Sequence, residues 1–300
     1  LIPPMGIIIA AVFFLSAILS GKVSDNILKP LYELDIEHPG EKETYEELKP
    51  LTQRIEYQNR KLKEKIYDEM EKRNRKRNEF TTNMTHELKT PLTSVSGFAE
   101  LMMKEGMDQE LIKDFSRSIY DETARMISLV EDIIKLEEMD ERMESYEFEE
   151  VDLNDIAKEV CEHLRIAASQ KGVKVKLSEG EAIIYGTRSI VFEMLYNLCD
   201  NAIKYNVEGG SIDIKTYTDR EGVFFDIWDT GIGIPPEEQE LVFDRFYRVD
   251  KSRSRGLGGT GLGLSIVRQG VILHSGDIKI ISNEGEGTRI ILRFPALKDQ

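Results

Sequence analysis

Residues 187–205 read TRSIVFEMLYNLCDNAIKY, and the periodicity of this stretch sets the architecture of the C-terminal half of the chain. Val191, Met194, Leu195, Leu198 and Ala202 recur at helical spacing and form an apolar face. Glu193, Asn197, Asn201 and Lys204 follow at steps of four, four and three on another face. Two amides and an amine in one stripe suit a metal–polyphosphate ligand, because amide oxygens can ligate Mg2+ and an ammonium can meet a phosphate. Taken alone, such a stripe is more simply a solvated face.

Working outward, short apolar alternations at 173–177, 211–217, 223–229, 277–282 and 288–294 read as strands. Helical patterns at 153–170 and about 262–274 interleave with them. Together with 187–205 they predict one α+β layer of about 145 residues, a single domain over 150–296.

Two loops of this domain carry chemistry. The strand VFFDIWD (223–229) ends on Asp229 and runs into Gly231 and Gly233. An aspartate at a strand end can accept from an exocyclic amine, and the glycines let a ring approach the backbone. The same pattern also makes plain turns. The second loop is FDRFYRVDKSRSRGLGGTGLGLSIV (243–267). Phe243 and Phe246 read as anchors of a mobile segment. Residues 245–255 hold Arg245, Arg248, Lys251, Arg253 and Arg255 against Asp250, a net charge of +4 that suits a triphosphate. Gly256, Gly258, Gly259, Gly261 and Gly263 then run into an apolar helix, whose N-terminal amides make an anion site. The spacing fits neither of the common phosphate-loop patterns.

Upstream of this domain, residues 80–138 predict a helical hairpin. Phe80, Met84, Leu88, Leu92, Val95, Phe98 and Met102 stripe the first helix. Ile112, Phe115, Ile119, Glu122, Met126, Leu129, Ile133 and Leu136 stripe the second, and the turn falls near Gly106. Two helices cannot bury such stripes alone, whereas a homodimeric four-helix bundle would. On the first helix lies His86, followed by Glu87, with Thr90 one turn on and Pro91 next. A carboxylate on one nitrogen of a neutral imidazole makes the other a better nucleophile. Pro91 removes the hydrogen bond to the carbonyl of Glu87, kinking or loosening the helix there.

The first 21 residues carry no charge, and 7–19 are almost continuously apolar. A helix of about 20 residues spans a bilayer core, so 1–21 is expected to be a transmembrane helix with Lys22 at its cytoplasmic end. A signal peptide would have a basic start. Leu51, Ile55, Gln58 and Leu62 are heptad-like, and the steps to Ile66 and Met70 break that alternation. The basic run at 72–77 reads as a solvated helix face.

Composition bounds the rest. The chain has 300 residues, is 40% hydrophobic and 32% charged, and carries a formal net charge of −15. That length suggests roughly two domains. The acidic balance argues against a nucleic-acid partner. Its two cysteines, Cys161 and Cys199, form no CxxC, which excludes a disulfide scaffold and a zinc ribbon. Residues 131–150 hold ten acids and two bases, more than half of the net charge. This acidic stretch, between hairpin and α+β domain, is expected to keep the two from locking together.

Taken in chain order, these pieces resemble a bacterial sensor histidine kinase of a two-component system. HELKTPL resembles the family's H box, NLCDNAIKY its N box, DTGIGIP its G1 box, FDRFYR its F box and GGTGLGLSI its G2 box, and the likeness covers about 75–296. The resemblance implies a HisKA-type dimerisation and phosphotransfer hairpin over 74–142, followed by a Bergerat-type ATP-binding domain, an α/β two-layer sandwich. His86 would take the γ-phosphoryl group of ATP and pass it to an aspartate of a response regulator. Glu87 would act as polarising base, and Thr90 would position water when the protein dephosphorylates its partner. Asn201 would ligate Mg2+ with support from Asn197, and Lys204 and Tyr205 would contact phosphates or the nucleotide. Asp229 would bond the adenine amine beside Gly231 and Gly233, Arg248 would reach the γ-phosphate, and Gly259, Gly261 and Gly263 would form the phosphate loop. The implied location is the plasma or inner membrane, with the catalytic part cytoplasmic. Residues 22–73 resemble a HAMP-like or degenerate linker leading into a signalling helix.

Two other readings compete. The gyrase and heat-shock chaperone ATPases share the nucleotide boxes but place a glutamate four residues before the metal-binding asparagine, where this chain has Asn197. A degenerate ATP-binding scaffold is the other, and the chemically useful residues kept in every box argue against it.

Overall fold

The computed structural model describes residues 3–23, 49–104, 107–141, 146–249 and 259–296. The chain divides into two compact units, Leu1–Glu79 and Phe80–Gln300.

In the first unit, α1 (Pro3–Val23) is a 21-residue helix. Its described side chains lie exposed, Phe13 at 78% and Phe14 at 70%. Among the described residues no helix is long and apolar enough to cross a membrane. A second helix, α2 (Lys49–Met102), runs without interruption through the expected boundary at 73–74. Leu62, Ile66 and Met70 are exposed on it, as is the basic run at 72–77. Most of the expected HAMP-like segment, 24–48, lies outside the described residues.

In the second unit, the end of α2 and α3 (Gln109–Glu141) form the expected hairpin. Phe98 and Phe115 stack across it at 5.3 Å, and Glu87 faces Arg125 further along, so the helices run antiparallel. The turn at Gly106 lies outside the described residues. Pro91 does not end the helix. Hydroxyls on this stretch donate to carbonyls one turn back, Thr90 to His86 at 3.2 Å and Thr93 to Lys89 at 2.9 Å.

The α+β layer follows. In order it comprises β1 (Glu149–Asp152), α4 (Leu153–Lys171), β2 (Lys174–Ser178), β3 (Ile183–Gly186), α5 (Arg188–Lys204), β4 (Ser211–Thr218), β5 (Val223–Asp229), α6 (Gly263–Leu273), β6 (Asp277–Asn283) and β7 (Gly287–Phe294). The five predicted strands form one sheet in the order β2-β4-β5-β7-β6, parallel only between β2 and β4. Its inner face (Ile212, Ile214, Phe225, Ile227, Leu292, Phe294) is buried with Ile156, Val160, Val191, Leu195 and Val267 of the three helices. Trp228 stands exposed on the other face.

Helix ends follow local chemistry. The Asp152 carboxylate accepts from the Asn154 amide at 2.8 Å, and Gly172 ends α4 in the left-handed region at φ 69°. The sequence reading missed β1 and β3. They pair antiparallel, Val151 opposite Ile184, and each inserts one apolar side chain into the core. Four residues with a single inward side chain carry too little alternation to be read.

The acidic stretch corrects an expectation, because it docks the α+β domain instead of holding it off. Thr260 donates to Asp132 at 2.8 Å, Lys135 pairs with Glu193 at 2.7 Å, and Arg245 pairs with Asp140 at 2.6 Å. An apolar seam lies alongside, with Phe80, Leu129, Leu136 and Met139 against Ile190, Phe246, Leu262 and Ile266. At these distances, a carboxylate opposite a hydroxyl or a guanidinium is a hydrogen-bond acceptor before it is a repelling charge. Replacing Asp132 and Asp140 together by alanine should therefore loosen the docking. Protease cleavage of the connection between α3 and β1 should rise about thirtyfold, since each of the two lost contacts is worth about 1 kcal/mol. Slower cleavage would restore the repulsive reading.

Candidate functional site

The apolar face predicted for α5 is the buried one, with Val191, Met194, Leu195, Leu198 and Ala202 all in the core. That fixes the rotation of the helix and leaves Asn197, Asn201 and Lys204 half-buried on the other side. Glu193, the fourth member of the stripe, is used elsewhere, in the pair with Lys135. Asn197 is oriented by its own helix. Its Nδ2 donates to the carbonyl of Glu193 at 2.8 Å, which leaves Oδ1 as acceptor or ligand. That oxygen lies against Gly263, where an added Cβ would stand 2.5 Å away. Lys204 Nζ lies 3.4 Å from Asp200.

Tyr205 closes α5, its amide donating to the carbonyl of Asn201 at 2.9 Å. Its own carbonyl accepts from Ile232 at 3.1 Å, so the turn after β5 is sewn to the end of this helix. In that turn Asp229 Oδ1 accepts from the Gly231 amide at 2.7 Å. Gly231 has no room for a side chain, because a Cβ would stand 2.5 Å from the Tyr205 carbonyl oxygen. Gly233 takes φ +70°, and a side chain there would run into the Asn283 carbonyl. Burial pushes the Asp229 carboxyl up to about 6, against the opposing pull of amide bonds from Gly231 and Thr288.

The other end of this region is built from the connection that follows β5 and the start of α6. Val242 and Phe243 are buried in the domain, whereas Phe246 packs on Phe80 of the hairpin at 5.5 Å. Phe246 adopts φ 64°, a costly conformation for a bulky side chain, and its amide donates to the Gly261 carbonyl at 2.9 Å. Gly259 lies beside Tyr205 and Arg248, with its Cβ position 3.3 Å from the phenol oxygen and 3.9 Å from Nη2. Burial raises the Tyr205 phenol, and the Arg248 charge opposes that shift. Of the expected basic collar, Arg245 serves the hairpin, paired with Asp140 and lying 4.9 Å over the Phe80 ring. Lys251, Arg253, Arg255, Gly256 and Gly258 lie outside the described residues.

The predicted residues thus gather in two places. Asn197, Asn201, Lys204 and Tyr205 lie on α5 or at its end, Asp229, Gly231 and Gly233 on β5 and the turn after it, and Gly259, Gly261 and Gly263 before and at the start of α6. Asn197 meets Gly263, Tyr205 meets Gly231 and Gly259, and Arg248 lies beside Gly259. His86, Glu87 and Thr90 lie on the hairpin, with His86 exposed. Glu87 lies 3.9 Å from Arg125, which also lies 3.7 Å from Glu122. The donor set suits Mg2+, with amide oxygens on Asn197 and Asn201 and no soft ligand. Among the described residues no cluster of three or more His, Cys, Asp or Glu could hold a metal by itself. Phosphate oxygens and water would complete the shell.

Sequence reading missed the docking residues Asp132, Lys135, Asp140 and Thr260. A signal was present: Asp132, Lys135 and Asp140 share the face of Leu129, Leu136 and Met139 at steps of three and four.

Two family models match the chain. Residues 76–142 match the model of the His Kinase A (phospho-acceptor) domain. Residues 186–298 match that of the histidine kinase-, DNA gyrase B- and HSP90-like ATPases. The chain is 35% identical over 241 residues to the sensor histidine kinase WalK of Bacillus subtilis, covering 78% of this chain and 39% of that protein. It is 33% identical over 222 residues to the sensor-like histidine kinase SenX3 of Mycobacterium tuberculosis, covering 74% and 54%. The chain spans between about four-tenths and six-tenths of the length of the curated relatives it matches. Among solved structures, histidine kinase ThkA in complex with response regulator protein TrrA superposes with a TM-score of 0.60 at 26% identity, covering 74% of this chain and 62% of that one.

Proposed function

Because the chain belongs to the bacterial sensor histidine kinases, we propose that it uses ATP to phosphorylate His86 and passes the phosphoryl group to an aspartate of a response regulator. The observation that carries this reading is the contact of α5 and its end with both the turn after β5 and the start of α6. It brings an acceptor suited to an amine, Asp229, onto the same face of the domain's connections as amides, an amine and glycine amides suited to phosphates. In the transfer, a ring nitrogen of His86 bonds to the γ-phosphorus, the bond to the bridging oxygen breaks, and ADP leaves. Glu87 accepts from the other ring nitrogen and stabilises the imidazolium that forms. The chain's contribution is alignment and charge neutralisation, through Lys204, Arg248 and the amides of the 259–263 loop. Mg2+ held by Asn201 and Asn197 would neutralise phosphate charge when bound.

The same reading includes further parts. The exposed Leu92, Tyr120, Ile127 and Ile134 of the hairpin support a homodimeric four-helix bundle. Residues 1–21 would anchor the chain in the plasma membrane with the rest cytoplasmic, supported by the uncharged, exposed face of α1. Thr90, one turn from His86, would support dephosphorylation of the response regulator. The test is incubation with Mg2+ and γ-labelled ATP. Wild type should acquire acid-labile, base-stable label, and His86→Gln should lose more than about 99% of it, as removal of a sole nucleophile requires. Label persisting in His86→Gln would falsify the assignment.

A further inference from the structure

His274 closes α6 with only 2% of its surface exposed, and both of its ring nitrogens are engaged. Nδ1 lies 2.7 Å from the carbonyl oxygen of Gly270, which can only accept, so Nδ1 carries the proton. Nε2 is then a lone-pair acceptor, and the amide of Thr187 donates to it at 3.0 Å. These partners define one tautomer of a neutral imidazole, and burial holds the ring below its ordinary pKa. Phe148 lies 5.4 Å from it and Phe294 meets it edge-on at 6.1 Å. Gly186 leaves the space, since a methyl there would stand 2.6 Å from Nε2.

The partners of this ring matter more than its burial. Thr187 immediately precedes α5, and His274 immediately follows α6. The two helices lie antiparallel in close contact. Thr187 meets His274 at one end, Met194 meets Gly270 along the way, and Asn197 meets Gly263 at the nucleotide end. Gly270 and Gly263 bring the helices so near that little side chain remains to absorb a slide of one past the other. The Thr187 hydroxyl donates to the Glu147 carbonyl at 3.1 Å, so the chain arriving from the hairpin is held at the same point.

We propose that His274 is a positioning residue for the nucleotide site: by pinning the start of α5 to the end of α6, it sets where the phosphate-loop end of α6 stands against Asn197 and Asn201. The proposal rests on the nucleotide-binding part of the kinase reading. It assigns His274 no contact with the nucleotide and no part in the chemical step.

Three substitutions in the full chain separate positioning from mere packing. In His274→Gln the amide oxygen reaches the place of Nε2 and can still accept from Thr187. In His274→Asn the side chain reaches only the place of Nδ1. In His274→Phe the ring volume stays and both bonds are lost. The readouts are the Kd for a non-hydrolysable ATP analogue with Mg2+, KM and kcat for His86 labelling, and thermal melting. His274→Asn and His274→Phe should raise Kd and KM about tenfold with kcat changed by less than about twofold, and His274→Gln should recover most of the loss. Equal losses in the Gln and Asn variants, or lowered melting with unchanged Kd, would overturn the proposal. A measurement on wild type guards against variants that do not fold. Adding the analogue should slow hydrogen exchange at the Thr187 amide, and an unchanged rate overturns the proposal equally. If wild type binds the analogue but never labels His86, the kinase reading fails and the Kd comparison still decides this one.

Discussion

Replacing Asp229 by alanine should raise the KM for ATP about 100-fold, because it removes a buried charged acceptor worth about 2–3 kcal/mol. Wild type should show the same dependence through pH. Burial holds this carboxyl at about 6, so in the free protein it is mostly ionised at pH 8 and mostly protonated at pH 5. The ionised form is the stronger acceptor for an exocyclic amine, and the protonated form carries a hydroxyl that needs a partner of its own. The logarithm of kcat/KM should therefore fall below pH about 6 with a slope approaching one, about tenfold per pH unit. Stability moves the other way for this group. Its folded pKa lies above the unfolded 3.8, so the folded state binds the proton more tightly between 3.8 and about 6. Acidification through that window adds stability from Asp229 while binding is lost, which separates the two effects. A kcat/KM flat between pH 5 and 8, or a KM unmoved in Asp229→Ala, would remove Asp229 from the adenine site.

The long periodic elements were legible from sequence because each carries several apolar positions at one period. The five predicted strands and the helices α4, α5 and α6 fall within a residue or two of expectation. What stayed hidden was carried by single residues whose meaning depends on a distant partner. Glu193 reads as part of a phosphate stripe until Lys135, 58 positions away, claims it. Arg245 reads as part of a triphosphate collar until Asp140 and Phe80 do the same. Net charge misled for the same reason. Ten acids in twenty residues suggest repulsion only while their partners across the domain boundary are unknown. Histidine 274 is the sharpest case. It ends the helical pattern predicted at about 262–274, and its acceptor nitrogen meets an amide 87 positions earlier.

Asn197→Glu should raise ATP hydrolysis about a hundredfold, the usual scale of a well-placed general base. The position decides why. Nδ2 of Asn197 spends its hydrogen bond on the Glu193 carbonyl at 2.8 Å, and Oδ1 faces the first residue of α6. An amide there can orient a ligand, but it cannot take a proton from water near neutral pH. In the proposed reaction that inertness would keep ATP for the histidine. A glutamate would lose the bond to the Glu193 carbonyl, at a cost of about 1 kcal/mol, and its carboxylate would stand near the positive end of α6. From there it could accept a proton from a water lined up on the γ-phosphorus. Phosphate release should be measured in a His86→Gln background, so that turnover through phosphohistidine does not contribute. Unchanged release in the double variant would show that the identity of residue 197 does not decide between water and histidine as acceptor.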